Sequence, residues 1–132
     1  MIYLDTSALV KLVATEAESA ALRTYLGART EQNWFTAALT RTELIRAASR
    51  TGDRSAVEQA RTILASLDLV ALSDRLLDTA ATLAPAGLRT LDAIHLAAAM
   101  TAGPRLDAVV TYDDRMAVAA SDAGLTLAQP AE

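Results

Sequence analysis

No cysteine occurs in the 132 residues, so disulfides and thiolate metal sites are excluded, and a reducing cytoplasm is the natural expectation. Aromatics are scarce too: one Trp, three Tyr and one Phe stand against thirty alanines. That balance suits small-residue helix packing around a modest sheet. Long apolar runs are missing: a stretch such as Leu96–Met100 falls far short of the roughly 20 residues that cross a bilayer. Asp5 breaks the opening apolar run, so neither a signal peptide nor a membrane span is expected, and the chain reads as soluble. Lysine is nearly absent, with Lys11 alone beside eleven arginines. The net charge of 12 − 16 = −4 offers no general basic surface for nucleic acid. Setting aside four acids as neutralised by cations brings the balance to zero, so charge alone does not decide for or against an RNA substrate.

What is present is organised around the first twelve residues, MIYLDTSALVKL. Met1–Leu4 is a short run of strand formers, and apolar residues resume at helical spacing (Ala8, Leu9, Leu12, Val13) after Asp5-Thr6-Ser7. This is a buried strand that ends in a carboxylate and is followed by a helix. Asp, Thr and Ser are also good helix N-caps, so the triplet has a purely structural explanation. In open α/β sheets, however, ligands bind beyond the carboxyl ends of the strands, which is where Asp5 falls.

The rest of the chain alternates the two periods. Helices are expected over 16–29, 39–50, 54–67, 74–83, 91–100 and 114–123, and strands over 33–37, 69–72, 108–111 and 125–127, followed by a Gln-Pro-Ala-Glu tail. Gly52, Gly103-Pro104 and Gly124 mark helix ends, while Asp53, Ser73-Asp74 and Thr90 are expected to cap helix starts. No repeat, linker or low-complexity segment divides residues 1–132, which read as one domain. Strands alternating with helices imply a three-layer α/β/α fold, a central, mainly parallel sheet flanked by helices.

Further acids fall at equivalent places. Asp92 lies in the first turn of a helix that is apolar almost all round (Leu91, Ala93, Ile94, Leu96 to Met100), which argues for central burial, and His95 follows on the same face. Glu43 sits among Leu39, Leu44, Ile45 and Ala48, and Asp113 follows the strand VVT. Each has a bland alternative: a dipole-favoured first-turn acid for Asp92, a surface pair with Arg46 for Glu43, a cap for Asp113 or Asp114, and a packed histidine for His95. None of these covers the joint placement of Asp5, Glu43, Asp92 and Asp113. Carboxylates gathered in a partly buried cleft are unfavourable unless a cation neutralises them. An all-oxygen set favours Mg²⁺ or Mn²⁺, ions that activate water and stabilise phosphoryl transfer.

The stretches MIYLDTSALVKL, TRTELIRAASR, LRTLDAIHLAAA and VVTYDDRM, in that order, resemble the PIN-domain ribonucleases, specifically the VapC-type toxins of bacterial toxin–antitoxin pairs. The resemblance spans Met1 to Gly124 and implies a PIN-like fold with an acidic site at Asp5, Glu43, Asp92 and Asp113. Thr6, Ser7 and Thr111 match the hydroxyl residues that support such a site, and His95 is assigned a supporting role. The spacing Thr111-Tyr112-Asp113 matches the family's T-x-D, which assigns Asp113 to the metal and leaves Asp114 to cap the last helix. The resemblance further implies one or two Mg²⁺ or Mn²⁺ ions and attack of water on an RNA phosphodiester, leaving 5′-phosphate and 3′-hydroxyl ends. A homodimer, and a hetero-oligomer with an inhibitory VapB-type antitoxin, are implied as well. Arg41, Arg46 and Arg50, on or beside the helix of Glu43, are candidates for RNA phosphate contact, with a solvated helix face as the alternative.

Two other readings compete. A haloacid-dehalogenase-like phosphatase also begins with a strand ending in Asp, but resembles D-x-D there, whereas this chain has Ser7 and carries Lys11 within its first helix. A catalytically silent PIN-fold binding module would gain stability by exchanging buried acids for apolar residues, and this chain keeps all four.

Overall fold

The computed structural model describes residues 1–131; Glu132, the last residue of the expected tail, lies outside it. The chain runs β1 (Ile2–Leu4), α1 (Thr6–Val13), α2 (Ser19–Gly27), β2 (Trp34–Ala37), α3 (Leu39–Arg50), α4 (Arg54–Ala65), β3 (Asp68–Val70), α5 (Asp74–Ala81), α6 (Thr90–Met100), β4 (Ala108–Val110), α7 (Asp114–Asp122) and β5 (Leu127–Ala128). A single 3₁₀ turn, Gly103–Arg105, joins α6 to β4. The five strands form one sheet in the order β3-β2-β1-β4-β5, with every pairing parallel.

Alternation along the strands builds the layers. Ile2 and Leu4, with Val110, face a core made by Leu9, Leu22, Leu44, Ala60 and Leu64 of α1 to α4. Tyr3, Phe35 and Val109 face the opposite way, onto Leu76, Ala80, Ala97, Ala98 and Met116 of α5 to α7. The register Tyr3↔Val109 and Leu4↔Val110 places like-facing residues side by side. Both faces are therefore covered, as a parallel sheet requires. The architecture is the expected three-layer α/β/α fold.

Topology sets the position of the site. The chain builds outward from β1 through β2 to β3, then returns to β4 on the other side of β1. The strand order thus reverses between β1 and β4, and their carboxyl ends release Asp5 and, two residues past the strand, Tyr112-Asp113 into one crevice. The Asp5 N–H donates to the Val110 carbonyl at 3.2 Å and ties the two strand ends together.

Several boundaries differ from those expected. β3 begins at Asp68 because its register pairs Asp68 with Phe35, and β5 begins at Leu127, opposite Val109. Pairing fixes strand limits, whereas composition marks only apolar content. Asp53 and Ser73 cap α4 and α5 as expected, through Ser55 N–H and Leu76 N–H. Thr90 does not cap α6: Arg89 holds the cap position with extended backbone, and no side chain accepts from that helix start. α6 is buried through its middle, but Leu91 and Met100 at its ends emerge to solvent. Among the described residues, no helix is long and apolar enough to cross a membrane.

Candidate active site

Asp5 is the most enclosed of the four acids, with 3% of its surface exposed. Its Oδ1 accepts from Ser7 Oγ at 2.6 Å and from the Ala8 N–H at 3.0 Å, so it does cap α1. Its Oδ2 accepts from Thr111 Oγ1 at 2.5 Å. The two hydroxyls are themselves held, since Tyr112 N–H donates to Ser7 Oγ and Asp113 N–H to Thr111 Oγ1. Neutral donors thus surround a carboxylate that has no ion pair of its own. Burial pushes the Asp5 carboxyl above its ordinary value, and the hydrogen bonds from Ser7 and Thr111 offset only part of that rise. The capping and functional readings of the triplet are compatible here, because the capping bond uses one oxygen.

Glu43 reaches across the sheet edge from α3, on one layer, to α6 on the other. Its Oε1 accepts from Thr6 Oγ1 at 2.6 Å and from His95 Nε2 at 2.7 Å. Half-burial pushes Glu43 up, but the bonds from His95 and Thr6 outweigh it and hold the carboxyl below its usual value. The surface pair with Arg46 does not form; Glu43 turns inward, and Arg46 is exposed. His95 is buried and makes its second contact to the Tyr3 hydroxyl, Nδ1 to Oη at 2.6 Å. Burial holds the Tyr3 phenol far above its ordinary value, so it keeps its proton. The phenol oxygen accepts from the Ala37 N–H at 3.3 Å. A carboxylate only accepts, so His95 Nε2 carries a hydrogen and donates it to Glu43. His95 therefore orients Glu43 and makes no hydrogen bond to Asp92.

Asp92 and Asp113 share a third partner, Arg89. Its Nη2 donates to Asp113 Oδ2 at 2.9 Å, and its Nε stands 3.4 Å from Asp92 Oδ2. The second contact is an ion pair without hydrogen-bond geometry, and Asp92 Oδ2 is a buried oxygen with no hydrogen-bond partner. Burial, then the charge of Asp113, raise the Asp92 carboxyl above its ordinary value despite Arg89. The expectation that Asp114 caps the last helix is corrected. Asp113 has the extended backbone of a cap, and its Oδ1 accepts from Met116 N–H at 3.0 Å, while Asp114 is the exposed first residue of α7. Because capping occupies Oδ1, Asp113 keeps Oδ2 for the cleft.

Glu43, Asp92 and Asp113 line one cleft of about 290 Å³ together with Arg89, Thr90 and Leu91, and Asp5 is buried at the strand end tied to Thr111. The side chains fit a hard divalent cation in kind: the candidate donor atoms are carboxylate oxygens, one is buried without a hydrogen bond, and two carboxyls are held above their ordinary values. Among the described residues, no three acidic or histidine side chains already stand close enough to enclose an ion. Arg89 fills the space between two of them. Arg41, Arg46 and Arg50 are exposed on α3 and do not line the cleft. Lys11 is occupied elsewhere, paired with Glu18 at 2.7 Å and lying over the Tyr112 ring. A lysine beside the acids, as a phosphatase of the dehalogenase type needs, is therefore not found in the cleft. Tyr3 and Arg89 are the participants that sequence reading passed over. Arg89 could have been found from its i,i+3 spacing to Asp92, whereas the Tyr3 hydroxyl is hidden in an apolar strand.

The sequence matches the PIN domain family over residues 2–121. It is 49% identical to Ribonuclease VapC46 of Mycobacterium tuberculosis (strain ATCC 25618 / H37Rv), covering 98% of this chain and 97% of the relative. Ribonuclease VapC35 of the same strain is 46% identical, covering 100% of this chain and 98% of its own length. Ribonuclease VapC47 of M. tuberculosis (strain CDC 1551 / Oshkosh) is 44% identical over 98% and 97%. The crystal structure of M. tuberculosis VapC20, a sarcin–ricin loop cleaving toxin, superposes with a TM-score of 0.75 at 20% identity, covering 98% of this chain and all of that one, a likeness of fold. With the family model matched over residues 2–121 and relatives close to half identical along nearly their whole length, the chain belongs to the PIN domain family, among the VapC-type ribonuclease toxins.

Proposed function

We propose that this protein is a Mg²⁺- or Mn²⁺-dependent endoribonuclease toxin of one domain that cuts RNA phosphodiesters to 5′-phosphate and 3′-hydroxyl ends. We also propose that a VapB-type antitoxin neutralises it in the cytoplasm. The observation that carries the reading is the under-neutralised acidic cleft: Asp92 Oδ2 is buried without a hydrogen bond beside Asp113, and Asp5 is buried without any ion pair. A pure binding surface has no use for that electrostatic cost.

Asp5, Glu43, Asp92 and Asp113 are the residues that would hold the cation. When bound, it supplies activation of water and stabilisation of charge on the phosphate. The chain's own residues orient the set. Ser7 and Thr111 fix both oxygens of Asp5, Thr6 and His95 fix Oε1 of Glu43, and the α7 cap fixes Oδ1 of Asp113. Water attacks phosphorus in line with the 3′ oxygen, which departs and takes up a proton as the 3′-hydroxyl of the upstream fragment, so the phosphate monoester stays on the 5′ oxygen of the downstream fragment. Arg41, Arg46 and Arg50, exposed along the helix of Glu43, are proposed to meet flanking phosphates. A homodimer, assembled further with the antitoxin, completes the reading.

The test is cleavage of total cellular RNA by the purified chain with and without Mg²⁺ or Mn²⁺, beside Asp5→Asn prepared identically. Asn retains an acceptor for the Ala8 N–H, so the fold is expected to survive. Discrete products from wild type alone, only with metal, and bearing 5′-phosphates by end mapping are expected. Equal patterns from wild type and Asp5→Asn would overturn the nuclease reading.

A further inference from the structure

We propose that Arg89 is a built-in counter-ion of the cleft, bridging Asp92 and Asp113 while no divalent cation is bound, and yielding its place to the cation to grip the RNA phosphate. The inference rests on the metal-dependent nuclease reading above and assigns that site a residue it does not otherwise include.

Four observations carry it. The guanidinium spans the two carboxylates, with Nη2 at 2.9 Å from Asp113 Oδ2 and Nε at 3.4 Å from Asp92 Oδ2. A positive charge therefore already stands where the acids need one. It is an incomplete substitute, because Asp92 Oδ2 has no hydrogen bond from it or from any other group. The Arg89 side chain is 59% exposed, and ion pairs open to water are weak enough to be displaced. Finally, Arg89 is the sole basic side chain among the residues lining the cleft.

The geometry also explains how one residue serves two roles. Arg89 occupies the cap position of α6, so its backbone is fixed by the helix that carries Asp92 while its side chain is free to turn. Displaced from the acids, the guanidinium stays within the same cleft, where the phosphodiester has to arrive. Its planar fork matches two phosphate oxygens, which a lysine ammonium does not. The same exchange would keep the acids from repelling RNA before the cation is loaded, since a bare cluster of four carboxylates is hostile to a polyanion.

The experiment measures free Mn²⁺ by electron paramagnetic resonance during titration of wild type, Arg89→Gln, Arg89→Lys and Asp92→Asn, each checked for an intact fold by its melting curve. In parallel, the affinity of the Mn²⁺-loaded proteins for a cleavage-resistant phosphorothioate RNA, checked to be intact at the end of each titration, is followed against salt. Arg89→Gln is expected to bind Mn²⁺ roughly two- to fivefold tighter than wild type, the range expected for an exposed ion pair. It is expected to bind RNA more weakly, with a salt slope shallower by about 0.7 for one lost single-strand phosphate contact. Arg89→Lys should fall between the two on both measures, and it carries the test if Arg89→Gln fails to fold. Unchanged or weaker Mn²⁺ binding in the Arg89 variants, beside a wild type that binds Mn²⁺ and an Asp92→Asn that does not, would overturn the role of Arg89 and leave the nuclease reading standing. So would an unchanged salt slope. If neither wild type nor Arg89→Gln binds Mn²⁺, the metal reading itself falls and takes this inference with it.

Discussion

The Tyr3 hydroxyl, buried in the central strand, accepts from Ala37 N–H and meets His95 Nδ1 at 2.6 Å, and His95 in turn holds Glu43. Replacing Tyr3 with Phe removes one oxygen and leaves a buried imidazole nitrogen and a buried amide without partners. The expected cost is about 1–3 kcal/mol of stability, read as a lower melting temperature. Cleavage should fall in parallel through a lower turnover rate, with RNA affinity unchanged, because Glu43 loses its orientation and no RNA contact is touched. His95→Ala should weaken cleavage further without abolishing it, since Thr6 still donates to Glu43. Complete loss in a folded His95→Ala protein would instead give the imidazole a direct part in the reaction. At this scale the sequence is legible where a residue breaks its local pattern. Asp5 interrupts an apolar run and Asp92 sits on an apolar helix, so both stand out. Tyr3 fits the strand pattern perfectly well, and its partner lies 92 residues away, a separation no local spacing encodes.

α6 is where packing and chemistry meet on one element. Ala93, Ala97, Ala98 and Ala99 bury its inner surface against Tyr3, Phe35 and Val109 of the sheet and Leu76 and Ala80 of α5, while Asp92 and His95 extend into the site. Alanine brings this helix close enough for His95 to reach both Tyr3 and Glu43. Ala98→Leu should cost about 1–3 kcal/mol by overpacking. It should also lower cleavage more than a surface change of equal stability cost, because the displaced helix carries Asp92 with it. A melting curve and a cleavage assay on the same preparation check this, and full activity in a destabilised Ala98→Leu would show the site to be insulated from α6. Helices such as α4 and α6 are legible because a buried stripe or an all-apolar surface leaves its period in the sequence. The starts of β3 and β5 are not, because they depend on which residue of β2 or β4 stands opposite. The cap of α7 fell to Asp113 rather than Asp114 for a related reason: both residue types serve, and only the backbone path decides which one turns into the helix.

For the molecule as a whole, the site imposes a pH dependence on stability that a cation should reverse. Asp5 and Asp92 both hold protons more tightly folded than unfolded, chiefly because burial disfavours their charged forms. From the ordinary carboxylate value of about 3.9 upward to their raised values, the native state therefore binds more protons than the unfolded chain, and stability falls as pH rises through that window. Glu43 acts in the opposite sense, being held below its ordinary value; its contribution is present above that value and is lost as pH falls. Glu18 and Asp53 are also held below their ordinary values but sit at the surface, where such pairs count for little, so the enclosed Asp5 and Asp92 dominate and the melting temperature of the metal-free protein should decline as pH rises above the ordinary carboxylate range. On the proposed function a divalent cation would bind the deprotonated set, so Mn²⁺ at a hundred times its dissociation constant should add about 2.7 kcal/mol near neutral pH, roughly 10 °C in melting temperature. At the acid end the curves with and without Mn²⁺ should coincide, because the ligands are then protonated. Asp92→Asn should melt at or above wild type without metal and show no Mn²⁺ shift. A metal-free melting temperature that rises steadily with pH, together with no response to Mn²⁺, would mean that Arg89 and the surrounding hydroxyls already neutralise the cleft and that the acids serve only to join α6 and α7 to the strand ends.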